Sequence, residues 1–160
     1  MRILRAIDRV VTAVIRTAIF VLLSGMLLIA VLQVLTRYVF SFSFTWSEEL
    51  LRLAMLWAAF LAASLGVRES KHIGLDLVIN LVPEALRQRI RIVIRCLVLI
   101  LLGVFCFLIA KLTIFMADMV SPILQISKAI WYLSLLLGFV FMIFYYIYNI
   151  AEALHEAKKD

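Results

Sequence analysis

Charge-free apolar runs punctuate this chain, and their lengths predict its elements. The first run extends from Thr17 to Thr36, between Arg16 and Arg37. Its 20 residues would reach about 30 Å as an α-helix, the thickness of a bilayer's hydrocarbon core. The second, Leu53 to Val67 between Arg52 and Arg68, is short, so its helix must begin earlier, near Trp46. The third runs from Cys96 to Ala110 and continues past Lys111 to Ala117. The fourth runs from Ala129 to Ala151, between Lys128 and Glu152. The pattern predicts an all-α integral membrane protein with four transmembrane helices, at about 12–36, 46–67, 84–117 and 128–151, and an interfacial helical segment at about 71–82. No Gly-, Ser- or Pro-rich linker and no internal repeat divides residues 1–160, so a single membrane domain is expected.

Composition narrows the class. Of the 160 residues 66% are hydrophobic, and mean hydropathy is +1.14. Soluble domains run near 45–50% apolar, and a soluble chain this short would bury only about 70% of its unfolded surface. Lipid is therefore the solvent. A soluble enzyme, a secreted disulfide scaffold, a disordered chain and a nucleic-acid binder are excluded. Cys96 and Cys106 would stand about 15 Å apart along one helix, too far for a mutual disulfide. They read as small buried hydrophobes.

The net charge of +6 then becomes a topology signal. Four basic residues precede span one (Arg2, Arg5, Arg9, Arg16). Six lie between spans two and three (Lys71 and Arg68, Arg87, Arg89, Arg91, Arg95), and two lie in the tail (Lys158, Lys159). These twelve oppose four on the other side, Arg37, Arg52, Lys111 and Lys128. Both termini are expected in the cytoplasm. Trp46 and the Trp131-Tyr132 pair then mark the outer interface, and Tyr145, Tyr146 and Tyr148 the inner one. Span one is too long for a signal-peptide core and no A-x-A site follows it, so an uncleaved anchor is expected.

The span centres hold no ionisable residue; Gln33, Ser64, Thr113 and Ser134 are their polar exceptions. Ion and proton carriers place ionisable groups there. Transporter cores also tend to show paired broken helices, whereas Gly25, Gly66, Gly103 and Gly138 are isolated and neither Pro83 nor Pro122 is mid-span. No nucleophile–base pair, phosphate loop or metal cluster is present, so neither catalysis nor a cofactor is expected. The chain reads as a support, not a pump.

Distinctive residues gather instead at the membrane boundaries. In Thr45-Trp46-Ser47-Glu48-Glu49-Leu50-Leu51-Arg52, Thr45 and Glu48 fit a capping box, and Glu48 and Arg52 can pair at i,i+4. Helical periodicity puts Trp46, Leu50, Leu53, Trp57, Phe60 and Leu61 on a bulky face. Ala58, Ala59, Ala62, Ala63 and Gly66 lie on the other side with Glu48 and Arg52. Ala54, Ala58, Ala62 and Gly66 recur every four residues, a spacing that lets another helix approach closely. That helix is either one of the chain's own or a partner's. Arg52, one turn inside, must snorkel or pair.

A second cluster places His72, Asp76 and Asn80 at i, i+4, i+8 on an otherwise apolar stretch, the pattern of an interfacial segment. A hydrogen bond fixing the loop and a metal or proton role for His72 are both open readings. In the third, Pro83 fits a helix start. Arg87, Arg91 and Arg95 then form a basic stripe, with anionic phospholipid headgroups as default partner.

These residues carry a family resemblance. Gln33-x-x-x-Arg37-Tyr38, Trp46-Ser47-Glu48-Glu49-Leu50-x-Arg52, Trp57, Phe60-Leu61, Arg68-Glu69, His72-Ile73-x-Leu75-Asp76 and Pro83 resemble the small membrane subunit of tripartite ATP-independent periplasmic (TRAP) transporters, the DctQ family. The likeness covers most of residues 30–95. Two features depart from it: Phe60-Leu61-Ala62-Ala63 has alanine where relatives often carry glycine, and no proline precedes Gly138.

The resemblance implies a multi-pass protein of the bacterial inner membrane. It implies a scaffold clamped to a large, elevator-type membrane subunit, with a periplasmic solute-binding protein delivering the substrate. Uptake would be driven by a sodium gradient, and the solute would be an organic acid such as a C4-dicarboxylate, sialic acid or another sugar acid. Arg37, Trp46, Glu48, Glu49, Arg52, Ala54, Trp57, Ala58, Ala62 and Gly66 are then the candidate contacts to the large subunit. Two readings compete. A stand-alone four-helix exporter would want a membrane-embedded carboxylate, and a haem- or quinone-binding respiratory anchor would want a histidine inside a span.

Overall fold

Each apolar run forms one long helix in the computed structural model, which describes residues 2–42, 44–69 and 84–156, with side chains over 6–42, 44–69, 93–94 and 96–150. The helices are α1 (Arg2–Val39), α2 (Thr45–Glu69), α3 (Glu84–Phe115) and α4 (Ala129–Glu156). All four contain a segment long and apolar enough to cross a membrane. Among the described residues the only β feature is a bridge between Val120 and Ser127. The 71–82 segment lies outside the described residues. Cys96 and Cys106 both sit on α3 as free thiols.

α1 begins well before residue 12. Asp8, Thr12 and Ile15 fall on one helical stripe and are 5%, 5% and 2% exposed. The amphipathic start therefore has protein to pack on and stays helical beyond the hydrocarbon core.

The four helices stand in a row. α2 and α4 form the centre, α1 flanks α2, and α3 flanks α4. A row encloses little interior, and its flanks show broad apolar surface: Phe20 is 72%, Leu28 70% and Ile114 77% exposed. Such surface matches lipid chains. Three hydroxyls within the spans bond to carbonyls of their own helix. Ser64 donates to the Leu61 carbonyl (2.7 Å), Thr113 to Ile109 (2.7 Å) and Ser134 to Trp131 (2.6 Å), which hydrocarbon surroundings require.

Three contacts hold the row. The first is steric. A Cβ on Gly138 would stand 2.7 Å from the Cβ of Phe60 and 3.1 Å from its carbonyl oxygen, so α2 and α4 approach as closely as a missing side chain allows. Phe139 extends this seam, with ring centroids 6.2 Å from Phe60 and 5.7 Å from Phe105.

The second is a small core of Ile15, Leu61 and Tyr145 from α1, α2 and α4, with Trp57 and Phe144 against it. Tyr145 is fully buried, and its hydroxyl shares a 3.1 Å hydrogen bond with the Thr12 hydroxyl.

The third is polar and lies at the end of the helices nearest the termini. Arg68 donates from Nε and Nη2 to the two oxygens of Asp8, both at 2.8 Å. Arg16 pairs with Glu69 at 2.8 Å, and Asn149 donates to the Val67 carbonyl at 3.0 Å. The exposed Arg16–Glu69 pair contributes about 0–1 kcal/mol. The Asp8 and Arg68 side chains are 7% and 28% exposed, so their bidentate bond is the stronger link, about 1.5–3 kcal/mol for a charged hydrogen bond.

Substituting Gly138→Ala should lower stability by about 1–3 kcal/mol through overpacking, read as a lower thermal midpoint in detergent. Gly103→Ala is the control, because a Cβ there meets nothing within 4 Å. Both variants share the propensity gain of alanine, so the difference isolates the contact. Equal midpoints would mean that the α2–α4 approach is not tight.

Candidate functional site

The loop end of the row carries the residues that stood out in the sequence. The connection from α1 to α2 is aromatic: Phe44 lies 5.1 Å from Phe42 and 5.5 Å from Trp46, centroid to centroid. α2 starts at Thr45. Its first turn is not closed by the Thr45–Glu48 capping box. Instead the Ser47 amide (3.3 Å) and hydroxyl (2.7 Å) both donate to the Phe44 carbonyl.

Glu48 and Glu49 then diverge, because adjacent helical residues point about 100° apart. Glu49 turns inward and is 7% exposed. Its Oε2 accepts the backbone amides of Ile123 (3.1 Å) and Leu124 (2.7 Å). Those amides belong to the 116–128 connection, which closes on itself through Ser121 N–H to the Ile126 carbonyl (2.8 Å) and Lys128 N–H to the Met119 carbonyl (2.7 Å). Gln125 takes the left-handed φ of 54° that the tight return needs. Glu49 thus fastens the α3–α4 connection to α2.

Glu48 turns outward and pairs with Arg52 at 3.9 Å, the i,i+4 partner its position predicts, with side chains 67% and 70% exposed. Both rim a groove of about 600 Å³ between α1 and α2, whose walls include Leu23, Met26, Ala30 and Met55. Leu23, Met26 and Met55 also line a second, wholly apolar groove of about 250 Å³, floored by Ala58, Ala59 and Ala62. Together they make one trough, apolar along its length and charged at one end.

The ladder Ala54, Ala58, Ala62, Gly66 divides here. A step of four residues drifts about 40° around a helix, so Ala58 is buried against α1 while Ala62 and Gly66 are exposed and Ala54 is half-buried. Trp57 packs on the internal core, and Trp46 is 37% exposed. Arg37 is exposed on the last turn of α1, where a cation suits the helix dipole. Glu48, Arg52, Ala58 and Ala62 therefore share one trough, with Ala58 buried in its floor, whereas Glu49 and Trp57 are occupied within the chain. His72, Asp76 and Asn80 lie outside the described residues. Arg87, Arg91 and Arg95 lie on α3, with side chains outside the described set.

Asp8, Thr12, Tyr145 and Asn149 bond between helices, a role that the sequence reading did not give them. A signal existed: Asp8 is an acid among Arg2, Arg5, Arg9 and Arg16, on the same helical stripe as Thr12 and Ile15.

Glu49→Ala should free the Ile123 and Leu124 amides and raise their hydrogen exchange about tenfold or more, the worth of a charge-assisted bond. Unchanged protection at both would show that Glu49 does not hold the connection.

Comparison with known proteins places this geometry in context. The sequence profile described as tripartite ATP-independent periplasmic transporters, DctQ component, matches residues 26–156. The sialic acid TRAP transporter permease protein SiaT of Haemophilus influenzae is 34% identical over 88 residues, 52% of this chain and 14% of SiaT. The C4-dicarboxylate TRAP transporter small permease protein DctQ of Vibrio cholerae is 33% identical over 66 residues, 41% of this chain and 28% of that protein. The matched stretch spans less than a third of either relative.

Proposed function

The chain belongs to the DctQ component family of the tripartite ATP-independent periplasmic transporters, and from that premise we propose that it is the fixed scaffold of a sodium-coupled uptake system. Members of this family are transport components, not enzymes, and the chain is a multi-pass protein of the inner membrane. In the proposed role it carries no solute. It clamps a large, elevator-type membrane subunit that binds the solute and sodium, and a periplasmic binding protein delivers the solute. The names of the two relatives, one for sialic acid and one for C4-dicarboxylates, favour an organic acid as that solute.

One observation carries the docking part of this reading: the exposed Glu48–Arg52 pair at the end of an apolar trough. In water such an i,i+4 pair contributes only about 0.3–0.5 kcal/mol. In hydrocarbon an unpartnered arginine costs several-fold more, about 2.5–3.5 kcal/mol at a span centre. A cover that brings its own polar partners to Arg52 and Glu48, and packs apolar side chains onto Ala59 and Ala62, removes that cost. A transmembrane helix of the large subunit has this chemistry. The lysine and arginine distribution supports cytoplasmic termini; in that orientation the loop end, with Trp46 and the 116–128 connection, would face the periplasm.

Reconstituting the large subunit and binding protein with this chain should give sodium-driven uptake, and omitting the chain should abolish it. Equal uptake in both would sink the scaffold reading. Arg52→Ala and Glu48→Ala should each reduce co-purification of the large subunit, Arg52→Ala by roughly tenfold. Unchanged yield for both would move the docking surface away from the trough. For topology, a C-terminal reporter that folds only in the cytoplasm should be active, and a silent one beside an active periplasmic reporter would invert the orientation.

A further inference from the structure

At the loop end, on the α2–α4 side of the row and apart from the trough, lies a half-open cavity of about 400 Å³. Glu49 and Lys128 both line it. Glu49 spends Oε2 on the two loop amides, and no ion pair joins it to Lys128. Two opposite charges thus face one cavity without neutralising each other. Trp131 and Tyr132 form a wall, and Leu56 and Leu135 line the cavity further along α2 and α4. Leu56 lies about 10 Å deeper along α2 than Glu49, and Leu135 about 6 Å deeper along α4 than Trp131.

One polar atom of the lining is left over. The Trp131 indole nitrogen is enclosed without a hydrogen-bond partner, whereas the hydroxyl of Ser121, a residue 2% exposed, lies against the Glu49 carboxylate and bonds to it. Enclosed donors without acceptors are costly and call for an explanation. A ligand that brings an anionic acceptor toward Lys128 and Trp131, and a cationic donor toward Glu49, supplies one.

We infer that this cavity binds a zwitterionic phospholipid with a primary-amine headgroup, phosphatidylethanolamine. The phosphate meets Lys128 and the Trp131 N–H, the ammonium donates to the Glu49 carboxylate, and an acyl chain descends along Leu56 and Leu135. Each alternative loses a contact. An anionic glycerol headgroup offers Glu49 no cation. A trimethylammonium headgroup has no N–H to donate. A soluble zwitterion leaves the apolar depth of the cavity unfilled. The position fits, because Trp131 and Tyr132 are the residue types that sit at headgroup level. The lipid would bridge α2 and α4 where Glu49 already fastens the connection between α3 and α4.

The test uses the full-length chain purified from membranes with its accompanying subunits, read by native mass spectrometry. Lipids of matched acyl chains and ethanolamine, choline or glycerol headgroup compete for it. Phosphatidylethanolamine should be retained about tenfold over either competitor. Lys128→Met should cut that retention about tenfold, and Trp131→Phe should cut it less. Lys111→Met should leave it unchanged, because that side chain lies outside the cavity, over the Phe107 ring at 4.7 Å. Equal retention of the three lipids, preference for the glycerol headgroup, or the same retention in Lys128→Met and Lys111→Met would overturn the site. If Lys128→Met does not assemble, headgroup competition on the unaltered protein decides alone.

Discussion

Apolar side chains gain little from touching each other when the alternative is lipid. That constraint governs this structure. Most of the described surface of α1 and α3 is greasy, and greasiness cannot say which helices should be neighbours. What can say so is scarce: one close backbone approach and a few polar groups that hydrocarbon will not satisfy. The bidentate Asp8–Arg68 bond is the clearest case, since leaving either charge alone at the edge of the membrane costs more than any single apolar contact returns. It sets α1 against α2, and the Thr12–Tyr145 bond beside it sets α1 against α4.

The two ends of the row use their polar groups differently. At the end near the termini, Asp8, Arg16, Arg68, Glu69 and Asn149 all find partners on other helices. At the loop end, Glu49 is committed to backbone amides while Glu48, Arg52 and Lys128 are left on exposed or cavity-lining positions. Among the described residues, the interhelical pairs gather at one end and Glu48, Arg52 and Lys128 stand at the other, an arrangement suited to being held by something else there. Membership of a family of transporter subunits is consistent with that division.

One pair at the loop end was legible in the sequence. The Glu48–Arg52 pair follows from an i,i+4 spacing, because a helix brings such residues together whatever surrounds it. The role of Glu49 was not legible. Its donors are the amides of Ile123 and Leu124, more than seventy residues away, and a backbone amide leaves no trace in residue type. Arg68 and Glu69 stood out as a motif, yet their partners Asp8 and Arg16 sit on another helix, and no periodicity within α2 points there. The alanine ladder failed differently. A repeat of four is not quite one helical turn, so a stripe drawn as straight wraps from the inside at Ala58 to the outside at Ala62.

By itself the sequence determined that there are four long apolar helices and where their apolar runs lie, though not that α1 starts as early as Arg2. Those depend on one residue at a time: an apolar side chain partitions into lipid and a charged one stops at its edge. The tertiary structure alone decided the order α1, α2, α4, α3, the burial of Ala58, the clamp of Glu49 and the cavity between Glu49 and Lys128. Each depends on which apolar faces meet, and apolar faces in lipid are nearly equivalent in energy. Only the fit of Phe60 over Gly138 and the pairing of distant polar groups break that equivalence, and both exist only once the helices are side by side.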